Sequence, residues 1–179
     1  PKQIEHEFGL ALRLIEEVLQ RYHFSDYRVR LSLRGDEGKY LHDENKWQSA
    51  QDALRGALDA SGIDYYSQIG EAAFYGPKAD FMAKDVLGRE WQLSTIQVDF
   101  MQPAQLGLTY IGEDGLEHTP VVLHRAVTGS TERFLGVLIE HYAGAFPIWL
   151  APVQAVLIPI TDRNLEYCQQ LHKHLASQG

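Results

Sequence analysis

The sequence predicts an α+β fold: an antiparallel sheet around a cleft, flanked by helices, followed by the start of an α/β domain. Three observations predict it. Two segments repeat their apolar residues every three to four positions, which is helical spacing. Two others carry the alternation or the turn-bounded apolar runs of strands. A continuous apolar run near the C-terminal end is followed by a further helical pattern, as in a parallel αβ unit.

The elements follow in order. Over residues 3–22, Ile4, Phe8, Ala11 or Leu12, Ile15, Val18, Leu19 and Tyr22 mark a helix, with Glu and Arg between them. "YRVRLSLRG" (27–35) alternates, with Tyr27, Val29, Leu31 and Leu33 facing one way. Arg28, Arg30, Ser32 and Arg34 face the other, which predicts a half-buried strand with a basic outer face. Residues 35–46 form a polar loop with two glycines. Trp47, Ala50, Ala53, Leu54, Ala57 and Leu58 then mark a second helix that stops near Gly62. Residues 79–100 read as two strands joined at Leu87-Gly88-Arg89, a long hairpin. Residues 101–120 form a loop with a short element, and 119–127 a strand. Residues 130–144 form a helix, with Ser130 or Thr131 as N-cap and Gly144 as C-cap. "AFPIWLAP" (145–152) is a proline-bounded linker, and 153–160 a continuous apolar strand. Thr161 or Asp162 caps the last helix, which places Leu165, Cys168, Gln169, Leu171 and Leu175 on or near its buried side.

Composition sets the functional bounds. The 179 residues are 45% hydrophobic and 22% charged, as in globular chains. The net charge of −8 argues against bulk non-specific nucleic-acid binding, which needs clustered Lys and Arg. A local basic groove is compatible with it. Cys168 is the sole cysteine, so no intrachain disulfide and no four-cysteine zinc site can form, and a reducing compartment fits. No apolar run approaches the ~18 residues of a membrane span, and no signal peptide opens the chain. The first residue is Pro1 and not Met, which points to a piece of a longer protein.

A few polar residues stand where apolar ones are expected. In "VVLHRAVTGSTERFLGVL" (121–138), His124 lies within an apolar strand. It reads either as a core histidine with a satisfied hydrogen bond or as a metal ligand, whose partners would come from elsewhere in the fold. Arg133 falls in the first turn of the following helix, where an arginine is either solvated or a fork for a phosphate or a ring. Gly129 precedes that helix N-terminus, which favours an anion, and Gly136 removes a side chain one turn on. "FYGPK" (74–78) sets Tyr75 and Lys78 about a Gly-Pro turn, by ordinary turn chemistry or as ligand contacts. Gln92 and Gln97 are five residues apart, hence expected on opposite faces, with either structural or ligand partners. The phosphate-loop, dinucleotide, nucleophile-elbow, HExxH and CxxC patterns are all absent from the sequence.

"EAAFYGPKADF", "WQLSTIQVDF", "YIGED", "PVVLHRAVTGSTERFLGVLIE" and "FPIWLAPVQAVLIPITD" resemble, in order and spacing, the C-terminal half of the catalytic domain of threonyl-tRNA synthetases, which are class II enzymes. The resemblance is strong over residues 70–162 and looser over 1–69. "HRAVTGSTERF" is similar to the third class II signature motif in its threonyl form, with a string that prolyl, seryl and glycyl relatives lack. The resemblance implies that residues 1–150 are a partial catalytic domain and 151–179 the first strand and helix of an anticodon-binding domain. It implies that His124 is one of three protein ligands of a zinc ion that grips the amino and hydroxyl groups of threonine. It further implies that Arg133 clamps ATP, that Gln92 lies near the nucleotide, and that Tyr75 and Gln97, with Lys78 beside them, line the threonine pocket. The implied reaction is attack of the threonine carboxylate on the α-phosphate of ATP, with Mg²⁺ on the phosphates, then transfer to tRNA(Thr) by a cytoplasmic homodimer. The family's other two zinc ligands and its first two signature motifs have no counterpart here, and Cys168 does not match the ligand cysteine. The 179 residues alone are therefore expected neither to aminoacylate nor to hold zinc tightly. The competing expectations are a synthetase-like binding module without catalysis, or another class II synthetase such as the prolyl enzyme.

Overall fold

The computed structural model describes residues 3–38 and 40–178. Pro1, Lys2, Gly179 and Lys39, the last within the loop expected at 35–46, lie outside the described residues. The chain divides into two compact units between His141 and Tyr142. The first contains α1 (Ile4–Arg21), β1 (Tyr27–Leu33), α2 (Glu44–Ser61), β2 (Tyr65–Ile69), β3 (Lys78–Lys84) and β4 (Glu90–Asp99). It continues through the short α3 (Gln102–Gln105), β5 (Tyr110–Ile111), β6 (Glu117–His118), β7 (Val122–Ala126) and all but the last residue of α4 (Thr131–Tyr142).

Five strands form one sheet in the order β2-β1-β3-β4-β7, antiparallel except for the parallel β1–β2 pair at one edge. The parallel pair is the one part of this sheet that the alternation did not announce. Its strand "YYSQI" is short and lies at an edge, so it carries no clean inside-outside pattern. A parallel neighbour needs a crossover, and α2 supplies it, ending at Gly62 in a left-handed conformation with φ 72°. The region expected as a loop at 101–120 holds α3 and a two-stranded β5–β6 hairpin.

One sheet face is apolar. Val29, Leu31, Ala79, Phe81, Ile96 and Val98 are all within 1% of complete burial. The register places them on a common face. The stripes Ile4, Phe8, Leu12, Ile15 and Leu19 of α1, and Trp47, Leu54 and Leu58 of α2, are buried too, and α1 packs against α2, β4 and β7. The opposite face carries polar residues, and a β-bulge decides which. Phe81 pairs with Ser94 while Met82 pairs with Gln92, so Leu93 is an extra residue in β4. The expectation that Gln92 and Gln97 face opposite ways is thereby corrected. One inserted residue shifts the alternation by one, and both glutamines join Lys78, Asp80 and Thr95 on the polar face. The outer face of β1 is corrected as well. Ser32 is fully buried and Arg30 largely so, because both turn onto Asp80 and away from water.

The hairpin between β3 and β4 is closed by Asp85. Its carboxylate accepts from the Leu87 and Arg89 backbone N–H groups at 2.9 Å each. It also accepts from the Arg89 guanidinium at 2.6 Å and the Trp91 indole at 2.9 Å. Burial opposes its ionisation, but these hydrogen bonds, led by that of Trp91, outweigh it and hold the carboxyl at about 2.

In the second unit the structure departs from expectation. Residues 153–160 form no ladder, since no strand among the described residues pairs with them. An extended run cannot satisfy its backbone alone. A 3-10 turn at Asp162–Asn164 precedes α5 (Leu165–Ala176), and neither Thr161 nor Asp162 caps it through a side-chain bond at its start. The expected buried side of α5 is also absent: no residue of this helix is buried. Among the described residues, no helix is long and apolar enough to cross a membrane.

Candidate functional site

The polar sheet face gathers the residues singled out from the sequence into two groups. The first comprises Tyr75, Lys78, Gln97 and His124. Lys78 on β3 lies directly opposite Gln97 on β4, and Gln97 lies directly opposite His124 on β7. Three strands thus present three polar side chains in a row. Tyr75 arrives from the loop before β3, and its hydroxyl donates to Gln97 Oε1. Burial, then the nearby Asp99 charge, pushes the Tyr75 phenol up, so it stays a donor across the neutral range. The Gln97 oxygen is thereby occupied, and its amide nitrogen is left to donate elsewhere. The Tyr75 and His124 rings lie 5.4 Å apart. The Gly76-Pro77 turn makes this convergence possible: a Cβ at Gly76 would collide with the Val98 carbonyl oxygen, so only glycine lets the loop lie on β4.

The second group comprises Gln92 and Arg133. Arg133 Nη1 donates to the Gln92 carbonyl oxygen at 2.9 Å, and the guanidinium lies 5.9 Å from the centre of the Trp91 ring. Of the two caps expected for α4, Ser130 serves: its hydroxyl accepts from the Arg133 N–H at 3.4 Å. Ser130 also donates to Glu132 at 2.8 Å. The Glu132 N–H, then this hydroxyl, draws the Glu132 carboxyl below its usual range. Gly129, at φ 63°, is packed so closely on Leu93 that a Cβ would collide with the Leu93 carbonyl oxygen. The turn before α4 is therefore seated on the bulge, and this seat aims Arg133 back across β4.

Two buried carboxylates organise these groups, and neither was singled out from the sequence. Asp99 and Asp80 are each fully buried. Asp99 Oδ2 bonds His124 Nε2 at 2.9 Å, while its Oδ1 accepts from the N–H groups of Met101 and Gln102. A carboxylate only accepts, so Nε2 is the donor in this bond. Asp80 accepts from Gln92 and Thr95 on one oxygen and from Arg30 and Ser32 on the other, which also forms an ion pair with Lys78. The signal was available: an aspartate amid the apolar run of β3 must find partners, as buried charges do.

His124 is 42% exposed, so it is not a core histidine. An outward-facing imidazole backed by a carboxylate has the form of a metal ligand with its supporting partner. A zinc site needs three or four such donors, and among the described residues no group of three His, Cys, Asp or Glu could hold a metal ion. The described residues therefore form no zinc site by themselves.

Residues 1–142 match the family model described as the tRNA synthetase class II core domain (G, H, P, S and T). Over 99% of its length the chain is 68% identical to the threonine–tRNA ligase of Rubrobacter xylanophilus, of which it spans 28%. It is 48% identical, over all of its length, to that of Thermus thermophilus, of which it spans 27%. The chain thus spans less than a third of these curated relatives. The crystal structure described as the RNA binding domain of threonyl-tRNA synthetase from Cryptosporidium parvum Iowa II superposes on the whole chain with a TM-score of 0.92 at 37% identity, over 44% of that chain.

Proposed function

Because this chain belongs to the class II tRNA synthetase core-domain family, we propose that it is part of the catalytic domain of a threonine–tRNA ligase. The observation that carries this reading is the row Lys78, Gln97 and His124 across three strands, with Tyr75 bonded to its centre. The names of the relatives point the same way. Residues 1–150 belong to the catalytic domain in this reading, and 151–179 open an anticodon-binding domain. The whole protein is a cytoplasmic homodimer whose partners are threonine, ATP with Mg²⁺, and tRNA(Thr).

The residues divide the work. The Lys78 ammonium and the Gln97 amide hold the carboxylate of threonine, and Tyr75 fixes the Gln97 amide. Arg133 draws negative charge from the phosphates while its plane accepts the adenine, and Gln92 bounds the nucleotide side. The threonine carboxylate oxygen then attacks the α-phosphorus and pyrophosphate leaves; a ribose hydroxyl at the tRNA 3′ end attacks the carbonyl carbon of the resulting adenylate, and AMP leaves. The chain's contribution is orientation and charge placement. His124 is the zinc ligand this chain contributes, and the ion would select a side chain with a hydroxyl over an isosteric methyl.

The test is amino-acid-dependent ATP–pyrophosphate exchange by the full-length protein. Exchange with threonine that falls ~100-fold or more in Arg133→Ala is the expected result. Exchange with proline instead would assign another class II synthetase. No exchange with any amino acid would assign a binding module.

A further inference from the structure

We propose that Asp80 is a positioning residue that sets the donors of both substrate subsites at once; this rests on the reading of Lys78 and Gln92 given above. Asp80 is fully buried in the middle of the sheet and is met by four hydrogen-bond donors and the Lys78 ammonium. Its Oδ1 accepts from Gln92 Nε2 at 2.8 Å and Thr95 Oγ1 at 2.8 Å. Its Oδ2 accepts from Ser32 Oγ at 2.8 Å and Arg30 Nη2 at 3.1 Å, and it forms an ion pair with Lys78 Nζ at 3.0 Å. Both oxygens are saturated, so the carboxylate is no ligand for a substrate. It acts on the two residues that are.

The consequences for those two differ. Gln92 donates its amide nitrogen to Asp80, which turns its Oε1 away from the carboxylate and fixes it as an acceptor. A glutamine without that bond could present either end. Lys78 is held against Asp80 by an ion pair at 3.0 Å, so its ammonium is anchored. Charge matters as well. Arg30 and Lys78 face one buried carboxylate, so the cluster keeps one excess positive charge on the sheet face. Glu71 stands 3.9 Å from Arg30, half-exposed, and is screened by water. An anion held by Lys78 therefore meets a positive field, while the aspartate keeps that field from dispersing the two cations. One side chain thus ties the amino-acid group to the nucleotide group.

The experiment is ATP–pyrophosphate exchange by the full-length protein, comparing Asp80→Asn and Asp80→Glu with Lys78→Ala and Gln92→Ala. Lys78→Ala should raise the KM for the amino acid, and Gln92→Ala the KM for ATP. Asp80→Asn should raise both together, each by about 10-fold or more, with Asp80→Glu intermediate on both. Unchanged KM values in the folded Asp80 variants, or a rise in only one, would overturn the proposal. Should Asp80→Asn not fold, Asp80→Glu decides by the same criterion. If wild-type protein exchanges with an amino acid other than threonine, the threonine reading fails, and the Asp80 effect is read on that amino acid and ATP. A readout without substrates covers loss of exchange altogether. Acylation of Lys78 by acetic anhydride should quicken several-fold in Asp80→Asn, and an unchanged rate would refute the anchoring.

Discussion

The two units of this chain solve the problem of apolar surface in opposite ways. Every apolar side chain recorded as buried lies between Ile4 and Leu138. In residues 142–178 none is, and Val156, Ile158 and Ile160 are 71%, 76% and 89% exposed. The two stretches have comparable apolar content, so composition does not separate them. The first has two helices to lay over a five-stranded sheet. The second has one helix and an extended run with no strand beside it among the described residues. Apolar sequence makes a core only where a second layer covers it.

The largest test of this contrast is Phe81→Ala. Phe81 is fully buried on the apolar sheet face, 5.7 Å from the Tyr27 ring. Its truncation should cost about 3–5 kcal/mol in urea unfolding. A loss below ~1 kcal/mol would mean that the sheet face is not the core of the first unit. Gly129→Ala should cost roughly 1–3 kcal/mol, because the left-handed backbone and the Leu93 carbonyl both resist a Cβ. Thermal denaturation together with exchange activity would read it, since Arg133 should shift with the turn. A third test uses pH. The Asp85 carboxyl sits at about 2 in the fold against an ordinary 3.8, so on acidification the unfolded chain takes up the proton first. Its contribution is complete above pH ~4 and is lost as pH falls from 3.8 towards 2. Asp85→Asn should flatten that part of the stability–pH curve, and an unaltered slope would show that the hairpin clasp is not responsible. The smallest effect is expected from Ile160→Ala, within ~0.5 kcal/mol of wild type. A core-sized loss there would break the contrast outright.

Much of this was legible in the sequence, and what was not has physical reasons. α1 and α2 were visible because each buries a stripe at helical spacing. The β3–β4 hairpin was visible from its turn residues. Tyr75, Lys78, Gln97 and His124 stood out one by one, but their convergence depends on the β3–β4–β7 register, which no local pattern encodes. β2 was missed because its pairing with β1 spans the whole of α2. The strand expected at 153–160 was misjudged because apolar continuity reports a wish for burial and not the presence of a partner. Asp80 was overlooked among the apolar residues of β3, although a lone acid there is itself the signal of a network. Gln92 was assigned to the wrong face because alternation counts residues, and a bulge adds one without a mark in the composition.

That bulge has a bearing on how this strand can change over evolutionary time. β4 works as two reading frames spliced at Leu93. Downstream, odd-numbered positions from Thr95 to Asp99 lie on the polar face, and upstream the even-numbered Gln92 does. Substitutions leave the splice intact. A single-codon deletion at Leu93 would merge the frames without moving Gln92 or Trp91 to the other face, because the residue removed is the inserted one. It would also take away the carbonyl on which Gly129 is seated. The inserted residue is therefore held in place by the turn that rests on its carbonyl, and not by the alternation of the strand.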